Sequence, residues 1–149
     1  MAKRPNQRLK LLYLAKIMLR LTDDEHGLQV EQIINELAKY DIAAERKSIY
    51  SDLEALQLFG IDIEKKHIGR YVYYCVGNRN LELAELKLLV DAVQSSKFIT
   101  EKKSSQLIEK LERYVSRYEA KQLNQQVYVH GRIKTMNESI YYNVDEIHN

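Results

Sequence analysis

The chain predicts a mainly helical fold with one small β-hairpin: a winged helix-turn-helix followed by an antiparallel helical hairpin. Three observations carry this. In Arg46-Lys47-Ser48-Ile49-Tyr50-Ser51-Asp52-Leu53-Glu54-Ala55-Leu56, the residues Ile49, Leu53 and Leu56 recur at i, i+4, i+7 and share one helical face. Just upstream, Val30, Ile33, Ile34, Leu37 and Ala38 form the stripe of a second short helix. After Gly60 the apolar period changes from 3.6 to 2, as it does where a helix gives way to a strand.

The elements follow in order. The first helix is expected from Asn6 to Leu21, with Leu9, Leu12, Tyr13, Ile17 and Leu21 on one stripe. Leu11, Leu14, Met18 and Leu19 spread its apolar surface around the other side, so it needs cover on most sides. Thr22 to Gly27 is an acidic turn. Gly27-Leu28-Gln29 is a short strand or the lead into the second helix, Val30 to Tyr40. Asp41-Ile42-Ala43-Ala44 makes the turn, and the third helix covers Glu45 to Leu58. Gly60 suits a helix C-terminus because it tolerates positive φ. Ile61 to Lys65 alternates, Tyr71 to Val76 is rich in β formers, and Gly69 lies in the turn between them.

Gly77-Asn78-Arg79-Asn80 marks a boundary, which makes residues 1–77 the winged helix-turn-helix. Leu83, Leu86, Val90 and Val93 define a helix from Leu81 to about Phe98. Thr100 is placed to cap the next, expected to reach Leu123 with Leu107, Ile108, Leu111, Val115 and Tyr118 as its stripe. Residues 81–124 thus read as a helical hairpin for linking and dimerisation. Its one apolar face needs a partner, and a homodimer supplies one. Residues 125–149 read as the start of an incomplete C-terminal region. Gln126 to His130 alternates like a strand, and Asn137-Glu138-Ser139 looks like a helix start before Ile140, Tyr141, Val144 and Ile147.

Composition narrows the function. Apolar content of 45% suits a packed core, and one Pro with five Gly argues against disorder. The single Cys75 excludes a disulfide framework and points to a reducing compartment. No signal peptide is evident, and no run approaches the roughly 20 apolar residues of a membrane span, so a cytoplasmic, membrane-free protein is expected. His26, His67, His130 and His148 are scattered without metal-ligand spacing, and there is no glycine-rich phosphate loop. Neither catalysis, a cofactor nor a metal is expected.

The net charge of +2 is small, but residues 1 to 20 carry Lys3, Arg4, Arg8, Lys10, Lys16 and Arg20 and no acid. In helix-turn-helix docking the start of the second helix enters the major groove. Arg46 and Lys47 suit phosphate or guanine, Ser48 and Ser51 can donate or accept, and Tyr50 can meet a phosphate or a thymine methyl. Asp52 would be repelled by phosphate and is expected either in an intramolecular ion pair or pointing off the DNA. Lys65, Lys66, His67 and Arg70 charge the hairpin tip, where backbone contacts are available, and Lys3, Arg4 and Arg8 add phosphate contacts. The expected activity is therefore sequence-specific binding of double-stranded DNA. The plainer alternatives are an amphipathic surface helix or a winged-helix module that binds protein and no DNA.

Leu9 to Val76 resembles the winged helix-turn-helix of bacterial transcriptional regulators that carry a C-terminal sensor named for its Trp-Tyr-Leu motif, the WYL domain. The matching residues are Lys47-Ser48-Ile49-Tyr50-Ser51-Asp52-Leu53-Glu54-Ala55-Leu56 and Phe59-Gly60-Ile61-Asp62-Ile63. The resemblance continues through Leu83 to Val93 and Ser95-Ser96-Lys97-Phe98-Ile99-Thr100, similar to the linker of that family, and through Asn137-Glu138 and Ile140-Tyr141-Tyr142-Asn143. It implies a transcription regulator whose nucleotide or small-molecule effector acts only through the missing sensor domain. Relatives often carry arginines where this chain has Tyr50 and Ser51, which implies a different DNA sequence. The chain has no Trp and stops before a sensor could form, so a truncated regulator is expected.

Overall fold

The i, i+4, i+7 spacing of Ile49, Leu53 and Leu56 becomes a helix with those three side chains buried. The structure, a computed structural model, describes residues 6–129. It divides into two units, Met1–Arg79 and Asn80–Asn149. The fold is mainly helical: three α-helices, a two-stranded antiparallel hairpin, then three more helices.

In the first unit, a 3-10 turn at Gln7–Leu9 leads into α1 (Lys10–Leu21). α2 (Val30–Ala38) and α3 (Arg46–Phe59) both pack on α1. Leu14, Ile17 and Met18 of α1 meet Val30, Ile33 and Leu37 of α2 and the buried stripe of α3 in one core. α2 starts with a capping box, in which Gln29 N–H donates to Gln32 Oε1 at 2.8 Å. Ala38 is exposed, so the α2 stripe is one residue shorter than its spacing suggests. Between α2 and α3 the chain turns through Asp41 at φ +59, and Ile42 drops fully into the core from the turn itself.

β1 (Ile63–Ile68) and β2 (Tyr71–Val76) pair with Ile63 opposite Val76, Lys65 opposite Tyr74 and His67 opposite Val72. Two residues, Gly69 and Arg70, close the turn. Gly69 sits at φ +61 and Arg70 has negative φ, the pattern of a type II′ hairpin. Leu28 exchanges both backbone hydrogen bonds with Tyr74 at 2.8 Å, so the lead into α2 adds a one-residue third strand. That bridge sets the hairpin beside α2 and α3. Thr22, fully buried, accepts from Val76 N–H (2.9 Å) and donates to Met18 O (2.6 Å), tying β2 to the end of α1. Arg79 Nη2 donates to Leu19 O and Thr22 O, supplying charge at the α1 C-terminus.

α3 ends at Gly60, whose N–H reaches Leu56 O and Gln57 O at 3.1 Å. Its φ of +122 is open only to glycine at low cost, and nothing lies within 4 Å of a Cβ placed there. Gly60→Ala is therefore expected to lower the unfolding free energy by about 1–3 kcal/mol through backbone strain alone. Urea unfolding measures this, and an unchanged midpoint refutes the assigned conformation.

The second unit holds a third helix beyond the two expected for its helical hairpin. α4 (Leu83–Ser95) is followed by α5 (Glu101–Glu112) and a separate α6 (Arg117–Val129). The three pack on one another around Leu86, Val90, Ile108, Val115, Ala120 and Leu123. The long helix expected from Thr100 to Leu123 is broken because Val115 and Ser116 are both buried in the turn. Ser116 Oγ then accepts from Glu119 N–H at 3.1 Å and starts α6. α6 also runs across the expected boundary at residues 124 and 125. The alternation at Gln126 to Val129 is helical, held in part by Gln94 Nε2 donating to Val127 O at 3.3 Å. Thr100 caps α5 as expected, its hydroxyl accepting from Lys103 N–H at 3.1 Å. Tyr114 is exposed in the α5–α6 turn. The helix start expected at Asn137 lies outside the described residues. No described helix is long and apolar enough to cross a membrane.

Candidate nucleic-acid interface

The burial of Ile49, Leu53 and Leu56 decides what the rest of α3 presents to solvent. Arg46, Lys47, Tyr50, Ser51 and Glu54 are all exposed. With 14 residues, α3 is about 21 Å long, enough to lie along a major groove about 12 Å wide. Ser48 differs from its neighbours. Its hydroxyl donates to Glu45 O (2.8 Å) and accepts from Lys10 Nζ (2.9 Å), so it is engaged within the protein. Lys10 also pairs with Asp52 Oδ2 at 2.7 Å, and both side chains are largely buried at 16% and 19% exposure. Asp52 thus sits in the expected intramolecular ion pair. Lys10 braces α1 against α3 and is not part of a free basic arm.

The hairpin sorts its charges by strand alternation. Ile63, Lys65, His67, Val72, Tyr74 and Val76 share one face by register. Glu64, Lys66, Ile68, Tyr71, Tyr73 and Cys75 share the other. Lys65 lines a cleft with Arg46, Tyr50 and Arg70. Lys66, on the opposite face, donates from Nζ to Asp24 O at 2.6 Å beside the acidic turn. The tip cation facing α3 from β1 is therefore Lys65. His67 is exposed. Arg70 lies over the Tyr71 ring at 5.2 Å and donates to its hydroxyl at 3.1 Å.

Two adjoining hollows run between α3 and the hairpin. The first, about 360 Å³, is lined by Gln29 and Glu31 of the α2 start and by Arg46, Tyr50, Lys65, Arg70 and Tyr71 among others. The second, about 510 Å³, continues along α3 past Tyr50, Leu53, Glu54 and Gln57 to Ile63 and Tyr74. Tyr50 and Tyr74 line both, their rings tilted with centroids 6.4 Å apart. Burial pushes the Tyr74 phenol up, the Tyr50 hydroxyl adds to that, and Arg46 opposes it. Tyr71 is exposed, while Tyr74, on the opposite face of the hairpin, belongs to the core.

The basic N-terminus lies near this face at its first described residues. Asn6 Nδ2 donates to Tyr40 O at 2.8 Å and Gln7 Nε2 to Ala43 O at 3.1 Å, which lays the chain against the α2–α3 turn. Arg8 is exposed there. Lys3 and Arg4 lie outside the described residues. Lys16 stacks its ammonium over Tyr13 and Tyr40, whose rings lie 4.2 Å apart.

Cys75 is buried on the far face of the hairpin. Burial pushes its thiol up, Lys66 opposes this, and Glu64, Asp24 and Asp23 add to it. A thiol held neutral when folded but free to ionise when unfolded makes the folded state bind the extra proton. Its contribution to stability is intact below the ordinary value of 9.0 and is lost as pH rises beyond it. Between about pH 8 and pH 10 the Cys75→Ala variant is therefore expected to lose less stability than the parent, as read by urea unfolding. Equal losses sink this assignment. Among the described residues no group of three or more His, Cys, Asp or Glu is arranged to hold a metal ion.

No family model, curated protein or solved structure matches this chain.

Proposed function

We propose that the chain is the DNA-binding part of a transcriptional regulator, with α3 in the major groove and the hairpin as a wing on the backbone. The observation that carries this reading is the convergence of Arg46, Tyr50, Lys65 and Arg70 on one cleft, with Lys47 and Ser51 exposed on the same helix. Arg46, Lys47, Tyr50 and Ser51 read base edges and phosphates; Lys65, His67, Arg70 and Arg8 meet the backbone. In this reading the chain acts as a homodimer. Leu88, Leu89 and Phe98, exposed in the second unit, are the apolar surface offered to the second copy. Half-sites then lie one or more helical turns apart.

The resemblance of residues 9–76 to the winged helices of WYL-domain regulators supports the same reading. The test is fluorescence anisotropy against a random duplex pool over a salt series. Phosphate contacts release counterions, so log affinity falls linearly with log salt. A chain that binds no duplex at low salt is not a DNA reader. One feature favours the rival protein-docking reading: Leu58 and Phe59, at the end of α3, are 91% and 83% exposed. A docking module would keep its partner when Lys47 is changed and lose it when Leu58 and Phe59 are.

A further inference from the structure

We propose that Glu31 is an internal competitor for DNA phosphate at Arg46. This rests on the DNA-binding reading above and adds a control on affinity to it. Arg46 is the first residue of α3, and Glu31 lies in the first turn of α2. Their side chains meet across the cleft, with Arg46 Nη1 and Glu31 Oε1 3.5 Å apart. The same cleft is lined by three cations, Arg46, Lys65 and Arg70, and by this one carboxylate.

A carboxylate offers a guanidinium the same kind of paired oxygen acceptors as a phosphate. Glu31 therefore stands at one of the guanidinium nitrogens a DNA phosphate would use. The pair is 58% exposed at Arg46 and 78% at Glu31, so solvent screens it and phosphate can displace it. Each binding event at Arg46 then exchanges one anion for another. The free energy of the internal pair is subtracted from the phosphate contact. Because phosphate is the same at every step of the duplex, Glu31 lowers the phosphate part of the Arg46 contact on DNA of any sequence.

The competing explanation is that Glu31 repels DNA at long range without acting through Arg46. A double-mutant cycle separates the two. Duplex affinity is measured by anisotropy at low salt for the parent, Glu31→Gln, Arg46→Ala and the double variant, with thermal unfolding to verify each fold. Glu31→Gln is expected to tighten binding roughly two- to fivefold, the range of an exposed ion pair. In the Arg46→Ala background that gain should shrink or vanish. An equal gain in both backgrounds, or no gain in the parent, overturns the competition while leaving DNA binding in place. Absence of duplex binding by the parent overturns both readings.

Discussion

Lys47→Glu is expected to weaken duplex binding by roughly ten- to a hundredfold at low salt, with the fold intact. Lys47 is fully on the solvent side of α3, between Arg46 and the internally engaged Ser48. It has no part in the core, so reversing its charge leaves stability within about 0.5 kcal/mol. A lysine contact to base or phosphate contributes about 1–3 kcal/mol, and each 1.4 kcal/mol is a factor of ten in affinity. Losing one phosphate contact should also flatten the salt dependence by about one unit of slope. Anisotropy over a salt series reads both quantities. If the variant binds as tightly as the parent, α3 is not the reading element.

Ile49→Ala is expected to cost about 2–5 kcal/mol of stability, enough to unfold much of a marginal domain. Ile49 is fully buried among α1, α2 and α3, directly beneath the exposed face of the helix. Removing three carbons leaves a cavity that the helices cannot fully close. The paired control is Leu58→Ala on the same helix, where the side chain is 91% exposed and the cost should stay within about 0.5 kcal/mol. Chemical denaturation of the two variants tests the rotation of α3 about its axis. If Leu58→Ala proves the more damaging, α3 is turned the wrong way and the proposed interface with it. Binding then separates the two kinds of defect: Lys47→Glu removes contact, whereas Ile49→Ala removes folded protein.

Much of the first unit was legible from spacing. The stripe of α3, the hairpin, the Gly60 helix end and the Thr100 cap needed only residues a few positions apart. Two further features have local signals in the sequence. Period-2 alternation from the buried Ile63 puts Lys65 and His67 on one face and Lys66 on the other. Ser116-x-x-Glu119 has the form of a helix start inside what looked like one long helix. The burial of Ile42 had no such signal, because a turn residue's environment depends on what the turn packs against.

In the first unit, near-neighbour chemistry thus settled which segments are helix or strand and which face of each is apolar. The partners of the polar groups came from packing. Lys10 meets Ser48 across 38 positions, Lys66 meets Asp24 across 42, and Arg79 reaches Leu19 across 60. Those pairings engage Lys10, Lys66 and Ser48 within the protein. Arg46, Lys65 and Arg70 line one cleft with Glu31. The physical reason is range. Backbone periodicity is set within one or two turns of the chain, whereas a long cationic side chain takes whichever acceptor the folded core brings within a few ångströms.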